Sequence, residues 1–336
     1  MTARLRRFLH FVAADVLHYT GLLDVWMWLR WQLGRGDVCV LGLHRVLTEQ
    51  EQSRTNSLDA MALRESTFDS ILEHVQRNFE VVSLEAFLEG RTDTTGRYKP
   101  RCLLTFDDGW EDTRTRAFPC LRKHGMPATV FLTTGMIGTR GGFWVEQVAR
   151  AWRNTSARQK IAGRLGAAAT DTAEDVVERL KHMSAVDRQA LLDSVIPPGA
   201  AASRNGADAM LTWEQVLEMS RGGMEFGTHT VTHPLLTYED DAAVERELRA
   251  GKQVLEAKLQ RKIRAFAYPN GDWDARVRGW VERTGYTCAF TTQGGWHKPA
   301  SDPYTIRRIL IHEGNVTGRD GRFSPAMFHL TLAGWH

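Results

Sequence analysis

The stretch RCLLTFDDG, residues 101–109, decides how this chain is read. Arg101–Phe106 is a short apolar run after Pro100, of the length of a buried strand, and it stops abruptly at Asp107, Asp108 and Gly109. An Asp-Gly pair often marks a turn, and an aspartate there caps a following helix. The motif alone therefore leaves a turn and a site equally open. Two adjacent carboxylates at the mouth of a sheet repel each other, however, and a cation that holds one of them relieves that cost.

Outward from this strand the chain alternates between extended and helical segments. Upstream, Val38–Leu43 follows the Gly34–Gly36 breaker and delivers His44 and Arg45 at its end. Glu65–Asn78 places Phe68, Ile71, Leu72 and Val75 at helical spacing. Val81–Ser83 is a brief strand, Leu84–Glu89 a short helix and Gly90–Lys99 a polar loop. Downstream, a helix over Ala117–Lys123 ends at Gly125 and is followed by a strand over Ala128–Thr133. From Gly138 to about Leu211 the chain is helical and rich in alanine and charge, with breaks at Gly163–Gly166 and Pro197–Gly199. Core-like strands resume beyond it, so it reads as an insertion. Met224–Gly227, Ala265–Tyr268, Cys288–Thr291 and Tyr304–Ile311 are extended, with helices over Asp240–Leu259 and Val277–Thr284. Repeated strand–helix units imply a parallel barrel or open sheet, whose chemistry belongs at the C-terminal ends of its strands.

The bulk properties are those of a folded enzyme-sized chain. It has 336 residues, 43% hydrophobic and 25% charged, which excludes disorder and a multi-span membrane protein. A net charge of +3, with no dense basic stripe, excludes a nucleic-acid partner. Cys39, Cys102, Cys120 and Cys288 show no CxxC spacing and read as free thiols, which favours a reducing, cytoplasmic setting. Residues 1–33 open with Arg4, Arg6 and Arg7 before an apolar stretch, but Asp15, His18 and Asp24 interrupt it and no small-residue cleavage site follows. Residues 1–36 are thus expected to form an amphipathic helix that packs on the main domain, residues 37–336, or lies on the inner membrane surface.

A second motif supplies the cation site. GTHTVTHP, residues 227–234, sets His229 and His233 four apart, and one helical turn would point both imidazoles at a single ion. Two neutral nitrogens and one carboxylate suit Zn²⁺ with a coordination position left for water.

TFDDG followed by HTVTHP, in that order and about 120 residues apart, resembles the polysaccharide deacetylase family with the NodB homology domain, carbohydrate esterase family 4. The resemblance extends to the HRV at His44, FAYPNG at Ala265–Gly271 and LIH at Leu310–His312. It implies a distorted (β/α)7-type barrel and hydrolysis of N-acetyl groups from amino sugars of a polysaccharide, peptidoglycan or lipid-linked saccharide. It also implies Asp107 as general base, His312 as general acid, and Asp108, His229 and His233 as ligands of a divalent metal, Zn²⁺ first, with Co²⁺, Ni²⁺ or Mn²⁺ as alternatives. The backbone N–H of Asn270, after Tyr268 and Pro269, would serve the oxyanion. His44 and the indoles of Trp110, Trp144, Trp273 and Trp296 are candidates for contacting an N-acetylhexosamine substrate. Many members carry an arginine where this chain has Ala267; Arg307 or Arg308 is the candidate replacement. Two alternatives stay open: hydrolysis of a small amide or imide on the same fold, and a carbohydrate-binding homologue without catalysis.

Overall fold

In β1 (Val38–Leu43) the side chains alternate between two apolar environments. Val38 and Val40 join an inner cluster with Leu103, Phe131, Ala265, Ala267, Cys288, Phe290 and Ile306. Cys39, Leu41 and Leu43 face outward onto helices, with Phe68, Ile71, Leu72 and Val75 of the Glu65–Asn78 helix. Burial on both faces is what a parallel strand inside a barrel requires. The computed structural model describes residues 3–34, 36–90, 99–140, 142–168, 170–196 and 207–334. Most of the Gly90–Lys99 loop and the Pro197–Gly199 break therefore lie outside the described residues.

The other strands, in chain order, are β2 (Arg45–Leu47), β3 (Ala62–Arg64), β4 (Glu80–Val81), β5 (Arg101–Phe106), β6 (Thr129–Leu132), β7 (Glu225–Thr228), β8 (Ala265–Ala267), β9 (Cys288–Phe290) and β10 (Ile309–Leu310). The main sheet runs β10-β1-β5-β6-β7-β8-β9, with every neighbour parallel and β4 beside the start of β5. A parallel bridge between Phe290 and Ile306 leads the chain from β9 back toward β1 and curls the sheet. The result is the expected distorted seven-stranded (β/α) barrel. Gly227 faces inward on β7, where a Cβ would come within 2.6 Å of the Phe131 ring, so only glycine keeps the barrel this narrow. Leu84 and Phe87, on the Leu84–Leu88 helix, pack against the inner cluster.

Two expectations need correction. Residues 3–33 form two helices, Ala3–Tyr19 and Leu22–Leu33, because Gly21 adopts φ 74° and breaks the run. Ala14 and Leu23 seat on Ala326, Met327 and Leu330 of a terminal Pro325–Ala333 helix that the sequence reading did not anticipate. Tyr304–Ile311 is not one strand: it divides into the Ile306 bridge and the two-residue β10, since it serves two different neighbours in turn. The insertion is helical as expected, with helices Trp144–Trp152, Thr155–Leu165, Ala173–Lys181 and Ala185–Val195 around Val148, Ile161, Val176, Leu180 and Leu192.

A half-buried histidine packed beside the core has a lowered pKa. His74 lies between Phe328 and His329, its Nε2 2.9 Å from that of His329, and burial followed by His329 lowers its pKa from 6.5 to about 4. The unfolded chain takes up this proton near pH 6.5, the folded chain near pH 4, so stability is lost as pH falls through that window. The unfolding temperature is expected to drop between pH 7 and pH 4.5, and a His74→Leu variant should show a shallower slope whatever its starting stability. Parallel slopes in the two proteins would contradict this assignment.

Candidate metal centre and active site

The C-terminal ends of β5 and β7 deliver the two motifs to one place. Asp107 continues the ladder beyond β5 through its N–H to the Leu43 carbonyl, and His229 does the same beyond β7 to the Leu132 carbonyl. The segment after His229 is not the helical turn expected. It is a tight loop in which Thr230 and His233 take left-handed φ values of 67° and 63°. Glu247, on the Asp241–Leu259 helix, holds that loop by accepting from the N–H groups of Val231 and Thr232 and from the Thr232 hydroxyl. Histidines four apart thus converge by loop strain, not by helical periodicity.

Asp108 Oδ1 stands 3.6 Å from His229 Nε2 and 3.5 Å from His233 Nε2, and the two Nε2 atoms are 3.2 Å apart. Ligand atoms on a tetrahedral ion with bonds of about 2.0–2.1 Å stand about 3.3 Å from one another, so this triangle has the size a divalent ion needs. His229 Nδ1 donates to the Ala267 carbonyl at 2.7 Å, which leaves its Nε2 lone pair bare and aimed at the triangle. Burial lowers the pKa of both histidines, so the imidazoles are in the neutral, ligating form. Burial, then the adjacent Asp107, raises the pKa of Asp108 well above its ordinary value. A cation at the triangle is the partner that buried group lacks.

Asp107 has a different environment. Arg308, fully buried, donates from Nη1 to Oδ1 and from Nη2 to Oδ2, both at 2.7 Å, and from Nε to the Thr291 carbonyl at 2.8 Å. Burial pushes the Asp107 pKa up, but the guanidinium outweighs it and holds the carboxyl well below its ordinary range. Of the two candidates to replace the arginine absent at Ala267, Arg308 takes the place; Arg307 turns instead to the Gly294 carbonyl. His44 Nε2 is 3.8 Å from Asp107 Oδ2, and burial lowers the His44 pKa to about 4.

Asp107, Asp108, His229, His233, His44 and Asn270 share one cavity. Asn270 sits there in a left-handed conformation, φ 58°. Trp110 does not face a substrate. It is completely buried, and its indole N–H donates to Asp108 Oδ2 at 3.0 Å, which leaves Oδ1 to face the histidines. The Arg45 guanidinium covers the same indole at 4.2 Å and pairs with buried Asp112 and Asp208. Tyr268 is also buried, its hydroxyl donating to the Tyr304 carbonyl, and Pro269 is buried beside it, so neither side chain reaches the cavity. Trp296 is anchored to the Leu332 carbonyl. His312 follows β10 and lies near enough to His44 to depress its pKa, yet it is not among the side chains around the cavity.

The insertion forms one wall with Phe143, Trp144, Glu146, Val177 and Lys181, so of the four candidate sugar-contacting indoles Trp144 is the one beside this cavity. It closes on the motif loop through an antiparallel bridge between Trp110 and Met210. Phe143 packs 4.8 Å from the His233 ring and 5.4 Å from that of Trp110. Apart from Trp144, the alanine- and charge-rich composition of the segment carried no signal of this.

A family model described as polysaccharide deacetylase matches residues 95–289. The chain belongs to the polysaccharide deacetylase family. The matched span contains both motifs but neither Arg308 nor His312. A putative polysaccharide deacetylase, YxkH of Bacillus subtilis, is 21% identical over 225 residues, which are 67% of this chain and 56% of the relative. The aligned region thus spans just over half of that relative's length. Among solved structures, Streptococcus pyogenes deacetylase PplD in complex with acetate gives a TM-score of 0.57 at 20% identity, covering 88% of this chain and 98% of that one. IcaB from Ammonifex degensii gives 0.56 at 19% identity, covering 89% and 96%. At these identities the likeness is one of fold.

Removing Trp110's indole N–H while keeping its bulk separates support from ligation. A Trp110→Phe variant is expected to bind Zn²⁺ about 10- to 100-fold more weakly in a chelator competition, and Asp108→Ala to retain no metal on desalting. Unchanged affinity in Trp110→Phe would show that the indole does not orient the carboxylate.

Proposed function

We propose that this family member hydrolyses the N-acetyl group of an amino sugar in a polysaccharide, peptidoglycan or lipid-linked saccharide. The observation that carries the proposal is the Asp108–His229–His233 triangle beside Asp107, a second carboxylate that Arg308 keeps ionised without consuming its place in the cavity. A divalent ion, Zn²⁺ or else Co²⁺, Ni²⁺ or Mn²⁺, would acidify a water and polarise the acetamide carbonyl when held by those three residues. Asp107 then takes the proton of the attacking water, because it is a carboxylate throughout the neutral range and is not one of the three candidate ligands. Asn270 is our candidate for the backbone N–H that meets the oxyanion. We assign protonation of the leaving amine to His312, with His44 neutral between it and Asp107. The structure of PplD was solved with acetate, the acid that such a reaction would release here.

The apolar wall of Leu58, Met61, Trp144, Val145, Val177 and Leu235 favours one rival, hydrolysis of a small cyclic amide at the same centre. The ionised Asp107 weighs against a binding protein without catalysis, since sugar binding has no need of a buried base.

The test is acetate release from N-acetylglucosamine oligomers, with small cyclic imides assayed alongside. Asp107→Asn is expected to lose at least about 10²-fold in kcat while keeping its metal content. Retained turnover would remove Asp107 from the reaction, and turnover of imides alone would select the rival. Arg308 adds a pH readout. Without its guanidinium the Asp107 pKa rises, so Arg308→Gln should move the acid limb of the kcat/KM profile to higher pH, and Arg308→Lys should move it less. An unmoved limb would separate Arg308 from the ionisation of the base.

A further inference from the structure

We infer that the N-terminal helical pair docks on the surface of a bilayer that contains anionic lipid. Ten large apolar side chains are exposed among the described residues, and seven of them, Val16, Tyr19, Leu22, Val25, Trp28, Leu29 and Leu33, fall within residues 16–33. The other three, Val186, Tyr238 and Val254, are scattered far from one another in sequence. Isolated exposed apolar residues need no explanation, but a concentration of this kind marks a contact surface.

The Leu22–Leu33 helix is apolar on two sides for two reasons. Leu23 and Met27 are buried against the body of the protein, and Arg30 fixes the helix there by donating to Asp37 at 2.6 Å and lying 5.1 Å over the Trp296 ring. Leu22, Val25, Trp28, Leu29 and Leu33 recur at helical spacing on the outward side, where packing within the chain does not account for them.

Charge selects the occupant. Residues 1–36 contain five arginines, Arg4, Arg6, Arg7, Arg30 and Arg35, against Asp15 and Asp24. That excess equals the net charge of +3 of the whole chain; Arg30 is itself paired with Asp37, and the other four arginines flank in sequence the 16–33 stretch that carries the exposed apolar side chains. Two copies of such a face would repel each other. An anionic headgroup layer attracts the arginines and accepts indole and leucine side chains at its acyl boundary. Among the described residues no helix is long and apolar enough to cross a membrane, so we place the pair along the surface. Its tie to Asp37, just before β1, is at the end of the sheet opposite Asp107, and docking there leaves the cavity uncovered.

The inference is tested by sedimenting the full chain with vesicles of phosphatidylcholine with and without phosphatidylglycerol. Binding is expected only to the anionic vesicles, to weaken as NaCl is raised, and to fall about 10-fold or more in a Trp28→Asp, Leu29→Asp double variant. Both side chains are about half exposed, at 54% and 44%, so the double variant should keep the wild-type unfolding temperature. Absence of vesicle binding, or equal binding by the wild type and the double variant, would overturn the inference. So would a concentration-dependent dimer in light scattering that the same substitutions dissolve, which would assign the face to a second copy.

Discussion

Two carboxylates that share a buried strand end cannot both carry charge without separate compensation, and the rest of the site follows from how this chain provides it. An uncompensated buried ion costs several kcal/mol even after the protein relaxes. Asp107 is compensated from within, by a guanidinium that meets both its oxygens. Asp108 is given a single neutral donor, the Trp110 indole, and its other oxygen is turned toward two bare imidazole nitrogens. One carboxylate is thereby held ionised, and the other is left facing two neutral nitrogens.

Holding these groups so close strains the backbone. Of the five non-glycine residues with positive φ among the described residues, four lie at this site: Asp108, Thr230, His233 and Asn270. Each such conformation costs about 1–3 kcal/mol and persists only where surrounding contacts over-determine it. The contacts are visible here. Glu247 ties the Thr230–His233 loop to a long helix, and the loop is also sealed by Thr134 and Gly135 N–H groups that donate to the carbonyls of Thr230 and Val231. The barrel thus supplies the rigidity that the site consumes.

The insertion connects scaffold and specificity. By returning along the motif loop it buries Trp110, and by placing Phe143 against His233 it dries one side of the triangle. Its Trp144, Val177 and Lys181 complete the cavity wall. A segment of ordinary helical composition therefore walls the candidate metal centre, although none of its residues belongs to a motif.

Local sequence determined the elements whose signals are local: the Val38–Leu43 and Arg101–Phe106 strands, the Glu65–Asn78 helix, and the two motifs whose residue types already imply a cation and a base. Apolar periodicity and the repulsion of adjacent carboxylates act within a few residues, so they can be read from order alone. Tertiary structure decided what depends on distance through space. It chose Arg308 over Arg307, because the chain crosses from β9 to β10 with Arg308 between and its side chain reaching Asp107. It turned Trp110 from a sugar platform into a support for Asp108, broke the N-terminal helix at Gly21, and folded His229 and His233 together through left-handed loop residues that helical spacing does not describe. Those outcomes rest on which buried partner satisfies each charge, and partners about 200 residues apart, such as Arg308 and Asp107, meet only once the barrel has closed.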